Sequence, residues 1–240
     1  MKTRIILALV LLILLTSAFI MRKSFDQHLT LTDITVMRDI TDVQISQPKI
    51  EDISGLLNLN NSKWDGANFR FVDITDVSYN HISETKILPE NQWMGNELDR
   101  DKKVKQFYTG ISQILTVADT EKVGKANSAI YKLIASELNR LSQSTSQKRI
   151  LLIYSDLTEN TDEFSLYKKN NIDLIKTNPE SVQKQFEAQA PLKNLKGINV
   201  YLVYQPTNQE ADEQYKLIAG FYQKFLESKG ATVEITANIN

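Results

Sequence analysis

The sequence predicts an α/β protein with a doubly wound, mostly parallel sheet flanked by helices, preceded by an N-terminal transmembrane or signal segment. Three observations predict it. From residue 68 onward, short β-prone apolar runs alternate with helical stripes, the signature of βα units. Two of the runs, "RILLIYS" and "INVYLVY", are almost continuously apolar, as strands covered on both faces must be. The first residues form an uncharged block between basic flanks.

That block opens the chain. "MKTRIILALVLLILLTSAFIMRK" places Lys2 and Arg4 before Ile5–Met21 and Arg22-Lys23 after it. As a helix the block spans about 26 Å, close to a ~30 Å hydrocarbon core. A membrane anchor and a cleaved secretory signal, with Thr16-Ser17-Ala18 as the small-residue cleavage site, both fit. Either places the remainder outside the cytoplasm, at a periplasmic or cell surface, or secreted after cleavage. Residues 24–67 read as a spacer that contributes at most an edge strand, within "LTLTDITVMRDITDVQI". The pentapeptide "DITDV" occurs at 39–43 and again at 73–77 with no continued similarity, and reads as coincidence.

The domain itself is expected over 68–240. Strands are predicted at 68–75, 82–88, 149–155, 198–204 and 232–237. The second is an antiparallel partner of the first, because too few residues separate them for a crossover. Val104, Phe107, Tyr108, Ile111 and Leu115 share one face of a helix over 96–115. Ile130, Leu133, Ile134, Leu138 and Leu141 do the same over 128–142. Asn178-Pro179-Glu180 combines a cap, a first-turn Pro and an early acid, and starts another helix. A stripe through Ala211, Tyr215, Ile218, Tyr222 and Phe225 ends at Gly230.

Composition removes several classes of function. With 28 basic and 29 acidic residues, bulk attraction to nucleic acid has no basis. The chain has no Cys, which excludes disulfides, iron–sulfur clusters and thiol catalysis. Two histidines, His28 and His81, cannot make a multi-histidine metal site. No glycine-rich nucleotide cradle and no G-x-S-x-G elbow is present. The chain reads as a non-enzyme.

The candidate site lies where the strands end. In doubly wound sheets, ligands bind outside the carboxyl ends of strands. "FRFVDITDVSYN" ends in Asp76, Ser78 and Asn80, and "RILLIYSDLTEN" ends at Ser155-Asp156; Ser128 opens a helix. If the 68–75 and 149–155 strands are neighbours, Asp76, Asp156 and Ser128 converge on one crevice. Carboxylate, hydroxyl and amide oxygens are hard ligands suited to Mg²⁺, Mn²⁺ or Ca²⁺. The same residues also cap helices and start turns. Glu159 and Asn160 belong to the rim or to a solvated loop.

These residues resemble the metal-ion-dependent adhesion site (MIDAS) of von Willebrand factor type A (VWA) domains, an Asp-x-Ser-x-Ser after the first strand, a Thr from a second loop and an Asp after a later central strand. In the resemblance Asp76 and Ser78 match, Asn80 stands for the second Ser and Ser128 for the Thr. Asp156 is the last Asp, with Leu157 where the family frequently has Gly. The resemblance covers roughly residues 66–240. It implies metal-dependent protein–protein interaction, with Asp76, Ser78, Asn80, Ser128 and Asp156 around Mg²⁺ (or Mn²⁺ or Ca²⁺) and a partner Asp or Glu completing the shell. A metal-free scaffold subunit of an envelope complex and a metal-dependent hydrolase are the alternatives.

Overall fold

A computed structural model describes residues 29–41, 45–74, 82–118 and 128–239. Six strands form its sheet: β1 (Leu31–Asp39), β2 (Gly66–Ile74), β3 (Ile82–Ile87), β4 (Lys148–Tyr154), β5 (Ile198–Val203) and β6 (Thr232–Thr236). Their order is β3-β2-β1-β4-β5-β6. All neighbouring pairs are parallel except β2 with β3. The helices are α1 (Ile50–Leu57), α2 (Glu97–Ala118), α3 (Ile130–Gln143), α4 (Lys169–Thr177), α5 (Pro179–Gln189) and α6 (Gln209–Ser228).

The region expected as a spacer with an edge strand is corrected here. Its strand, β1, is central, paired from Leu31↔Gly66 to Asp39↔Ile74 on one side and from Thr32↔Lys148 to Arg38↔Tyr154 on the other. The reason it reads otherwise is chemical. Thr32, Asp33, Thr35, Arg38 and Asp39 are buried in it, where a doubly covered strand is expected to be apolar. Asp33, Thr35, Arg38 and Asp39 are tolerated because their polar groups are held. Arg140 from α3 donates to both Asp33 carboxylate oxygens, at 3.0 and 3.1 Å, and to the Thr35 hydroxyl at 2.6 Å. Arg38 pairs with Asp73 of β2 at 2.8 Å.

Alternation along the strands supplies two cores. Leu151 and Ile153 of β4 face the layer of α3, α5 and α6, together with Met37 and Val72. Ile150, Leu152 and Tyr154 face the other way, with Ile34, Val36, Phe69 and Phe71, against α1 and α2. In the first layer the Tyr131 and Phe186 rings stack at 4.4 Å, and Phe186 meets Phe221 edge-on at 5.9 Å. α1 and α4 are elements the hydrophobic periodicity did not announce. They have eight and nine residues, and bury only Ile53 and Leu57, and Ile175.

Two local signals act as their chemistry requires. Gly230, at φ 100°, follows α6 in the left-handed region that favours glycine. Asn178 caps α5, its side chain accepting from the Ser181 N–H at 3.2 Å with Pro179 at the first position. Asn178→Ala is expected to destabilise the protein by about 1 kcal/mol, read as a lowered denaturant midpoint at unchanged slope. Among the described residues no helix is long and apolar enough to cross a membrane. The expected membrane segment, 1–23, lies outside the described residues.

Candidate metal centre

The sheet order reverses between β1 and β4, where β1 connects outward to β2 while β4 leads to β5 and β6 on the opposite side. The crevice outside the carboxyl ends of such a pair is where doubly wound sheets bind ligands. Asp39, the last residue of β1, stands at this point and is buried. Its Oδ1 accepts from the Thr41 amide at 2.9 Å and the Thr41 hydroxyl at 2.6 Å. Its Oδ2 accepts from the Ser155 hydroxyl at 2.8 Å, one residue past the end of β4.

Ser155 ties the two strand ends together, since its Oγ also accepts from the Leu157 N–H at 2.8 Å. That bond folds the chain back, and Leu157 takes φ 62° with its side chain fully buried. This is the left-handed region, costly for a residue with a Cβ and easy for glycine. Asp156 is held by Thr158, whose amide and hydroxyl donate to its two oxygens at 2.8 Å each. It lines a cleft of about 190 Å³ with Thr158, Tyr167, Tyr204 and Tyr215. Burial pushes the Tyr215 phenol up, and the Asp156 charge adds to the effect.

Glu159 corrects the expectation of a rim or solvated residue. It is 1% exposed, and its Oε2 accepts from the Tyr131 N–H at 2.8 Å, with the Ile130 N–H also bonded to it. It satisfies the otherwise orphaned amides at the start of α3, where Ala129 offers no side-chain cap. Desolvation pushes its carboxyl up to about 7; the two amides and Lys132 oppose the shift, and the Asp39 charge reinforces it. Asn160 is likewise structural: it forms a two-bond bridge with Ser128, 2.9 Å in each direction, and its Oδ1 accepts from Ser165 at 2.8 Å. Ser128 is therefore fixed against the Asp156–Asn160 loop. Its Oγ is buried and finds no hydrogen-bond partner among the described residues, a costly state for a hydroxyl.

Of the predicted site residues, Ser128 and Asp156 are thus joined through one loop. Asp76, Ser78 and Asn80 lie outside the described residues, as do His28 and His81. The condition placed on Asp76, that its strand adjoin β4, is corrected: β1 lies between them. The acid on β4's neighbour is Asp39, which opens the first copy of "DITDV". The two copies sit on adjacent strands, one residue out of step, since Asp39 pairs with Ile74 and Arg38 with Asp73. Asp73 consequently lies within the sheet. In the recurrence Asp39 is the counterpart of Asp73, and the counterpart of Asp76 is Asp42, which lies outside the described residues.

Among the described residues, no group of three or more His, Cys, Asp or Glu side chains is placed to hold a metal ion. A cation at this end of the sheet would need hydroxyl as well as carboxylate oxygens. Asp39, Thr41 and Ser155 bring one carboxylate and two hydroxyls together, and Ser128 is bridged to Asn160 in the turn that follows.

No family model matches the chain, and no curated protein matches it. Among solved structures it is similar to the D319A mutant of the PilB minor pilin from Streptococcus sanguinis, with a TM-score of 0.41 and 11% identity over 90% of this chain. The chain spans 58% of that pilin's length.

Proposed function

We propose that this chain is an extracytoplasmic, membrane-anchored VWA-like module that binds a protein partner through a divalent cation held at the carboxyl ends of β1 and β4. The observation that carries the reading is the placement of Asp39, a buried carboxylate at the reversal point of the sheet. The turn that follows β4 carries Ser155, bonded to Asp39, and Asn160, bridged to Ser128, whose buried hydroxyl finds no partner among the described residues. Asp39 with Thr41 supplies the Asp-x-hydroxyl pattern that the resemblance assigned to Asp76 and Ser78. Leu157 supports the reading as well, because it adopts the glycine-favoured conformation at the position where the family frequently has Gly.

In this arrangement Asp39, with the hydroxyls of Thr41, Ser128 and Ser155, would hold Mg²⁺, Mn²⁺ or Ca²⁺, and Asp156 flanks it from the adjoining turn. The cation would supply an electrophilic position for a partner's Asp or Glu. The chain's own contribution is to hold the carboxylate in place: Thr41 and Ser155 fix both Asp39 oxygens.

Titration of the full chain with Mg²⁺, Mn²⁺ and Ca²⁺ tests the reading. A cation-dependent rise in melting temperature is expected, lost in Asp39→Ala and retained in Asp76→Ala. A rise that survives in Asp39→Ala overturns it. A metal-free scaffold is the second reading, favoured by Thr158 occupying both Asp156 oxygens, and it expects no cation-linked shift in any variant. The hydrolase alternative needs a general base facing solvent. Glu159 titrates in the right range but is buried and engaged by the start of α3.

A further inference from the structure

The end of the sheet opposite the candidate site carries an apolar surface. Leu88, Trp93, Met94 and Leu98 are 63, 63, 88 and 80% exposed, four large hydrophobic side chains within one loop and the first turn of α2. The other exposed large hydrophobics are scattered singly along the described chain, an ordinary condition that needs no account.

The loop is rigidly attached to the point where the chain enters the sheet. Arg100, fully buried, donates to the carbonyls of Lys63, Asp65 and Leu88. The Asp65 carboxylate accepts from the Thr30 N–H at 2.9 Å, and Gly66 N–H donates to the Thr30 carbonyl at 2.9 Å. A Cβ on Gly66 would fall 2.5 Å from Pro89 Cδ, so the strand start and the loop are in direct contact. Residues 30, 65, 66 and 88 thus form one small pole. The apolar block 5–21 ends at Met21, ten residues before Leu31, a stretch of at most about 36 Å when fully extended.

We infer that the Leu88–Leu98 loop is an interfacial foot: it immerses Leu88, Trp93, Met94 and Leu98 in the headgroup–acyl boundary of the bilayer that residues 5–21 enter. This rests on the membrane anchorage proposed above. The occupant is lipid because the same chain delivers this pole to the membrane surface, and because a Trp beside aliphatic side chains is the composition that partitions into that boundary. Charge takes little part. Lys63 pairs with Glu97 and Asp101, and Glu90 with Lys103 and Arg100, so these side chains leave the foot no basic surplus of their own. The consequence is orientation. With the foot immersed, the nine-residue β1 points away from the bilayer and carries Asp39 about 26 Å outward, toward a partner.

The test uses the full chain reconstituted into phosphatidylcholine vesicles, with and without brominated acyl chains. Trp64 is buried, so Trp93 is the lipid-accessible reporter and Trp93→Phe the control. Flotation with the vesicles together with loss of most Trp93 emission in brominated lipid, unchanged by added anionic lipid or by diluting protein in lipid, is the expected result. Met94→Asp, at a side chain 88% exposed, should weaken the quenching at unchanged melting temperature. Flotation without Trp93 quenching overturns the foot and leaves the anchorage standing. Quenching absent while Trp93 emission is blue-shifted, or quenching that varies with protein density, marks a protein cover (a second copy or residues 5–21) and also overturns it. Failure to float removes the anchorage and the foot together.

Discussion

Arg38→Met is expected to destabilise the protein by about 3–5 kcal/mol, the cost of leaving a buried carboxylate without its partner. The Arg38 guanidinium donates to Asp73 Oδ1 from Nε at 3.0 Å and from Nη2 at 2.8 Å, and to the Ala118 carbonyl at 2.7 Å. The two side chains are 6 and 1% exposed, so water cannot replace what Met fails to give. The guanidinium also lies 5.4 Å from the centre of the Phe71 ring. One side chain therefore joins β1, β2 and the last residue of α2. The companion variant separates the two contributions. Arg38→Met with Asp73→Leu removes both charges, and replacing a buried pair by apolar groups is near neutral when shape is kept, so it should recover much of the loss. Denaturant unfolding of the three proteins measures this. A single-variant loss below about 1 kcal/mol, the value of an exposed pair, would show that the pair adds little to the sheet.

Glu159→Gln is expected to change the pH dependence of stability more than stability itself. Burial raises the folded-state carboxyl to about 7, above its unfolded value. The folded state then binds the proton more tightly, so the favourable contribution is complete below the unfolded pKa, fades as pH rises from about 4.5, and is lost above about 7. Over that window the wild type should lose about 3 kcal/mol of stability from this group in metal-free buffer. Gln cannot ionise, and its amide oxygen can still accept from the Tyr131 N–H, so the variant should be flat across the window and the more stable protein at pH 8. Parallel slopes for the two proteins between pH 5 and 8 would refute the assignment.

The strands and long helices of the 66–240 region are legible in the sequence because their constraint is local. β4 over Ile150–Tyr154 is buried on both faces and apolar, and β5 is largely so; α2, α3 and α6 each bury one stripe, and local pattern alone reports both conditions. The Asn178 cap and Gly230 stop are legible for the same reason, since each solves a problem within one turn of chain. β1 is not legible as a central strand, because its polar residues are compensated by partners far along the sequence. Asp33 is held by Arg140 and Arg38 by Asp73, and no window of sequence around β1 contains either partner.

The site divides along the same line. That acids and hydroxyls gather at strand ends, and that Asp156 and Ser128 are among them, follows from residue order, since a strand's polar terminus is written in the strand. Which acid stands beside β4 is a matter of strand neighbours. The pentapeptide at 39–43 and its twin at 73–77 are identical in sequence, and only the sheet order distinguishes the strand next to β4 from the one beyond it. Glu159 shows the same limit, because its burial and its role at the start of α3 depend on a segment 28 residues upstream. Hydrophobic period specifies the layer architecture, and residue order specifies the chemistry available at its edge. Tertiary structure alone decided which of two identical motifs lies at the reversal point, because adjacency in a parallel sheet is set by crossover connections rather than by any property of the strand itself.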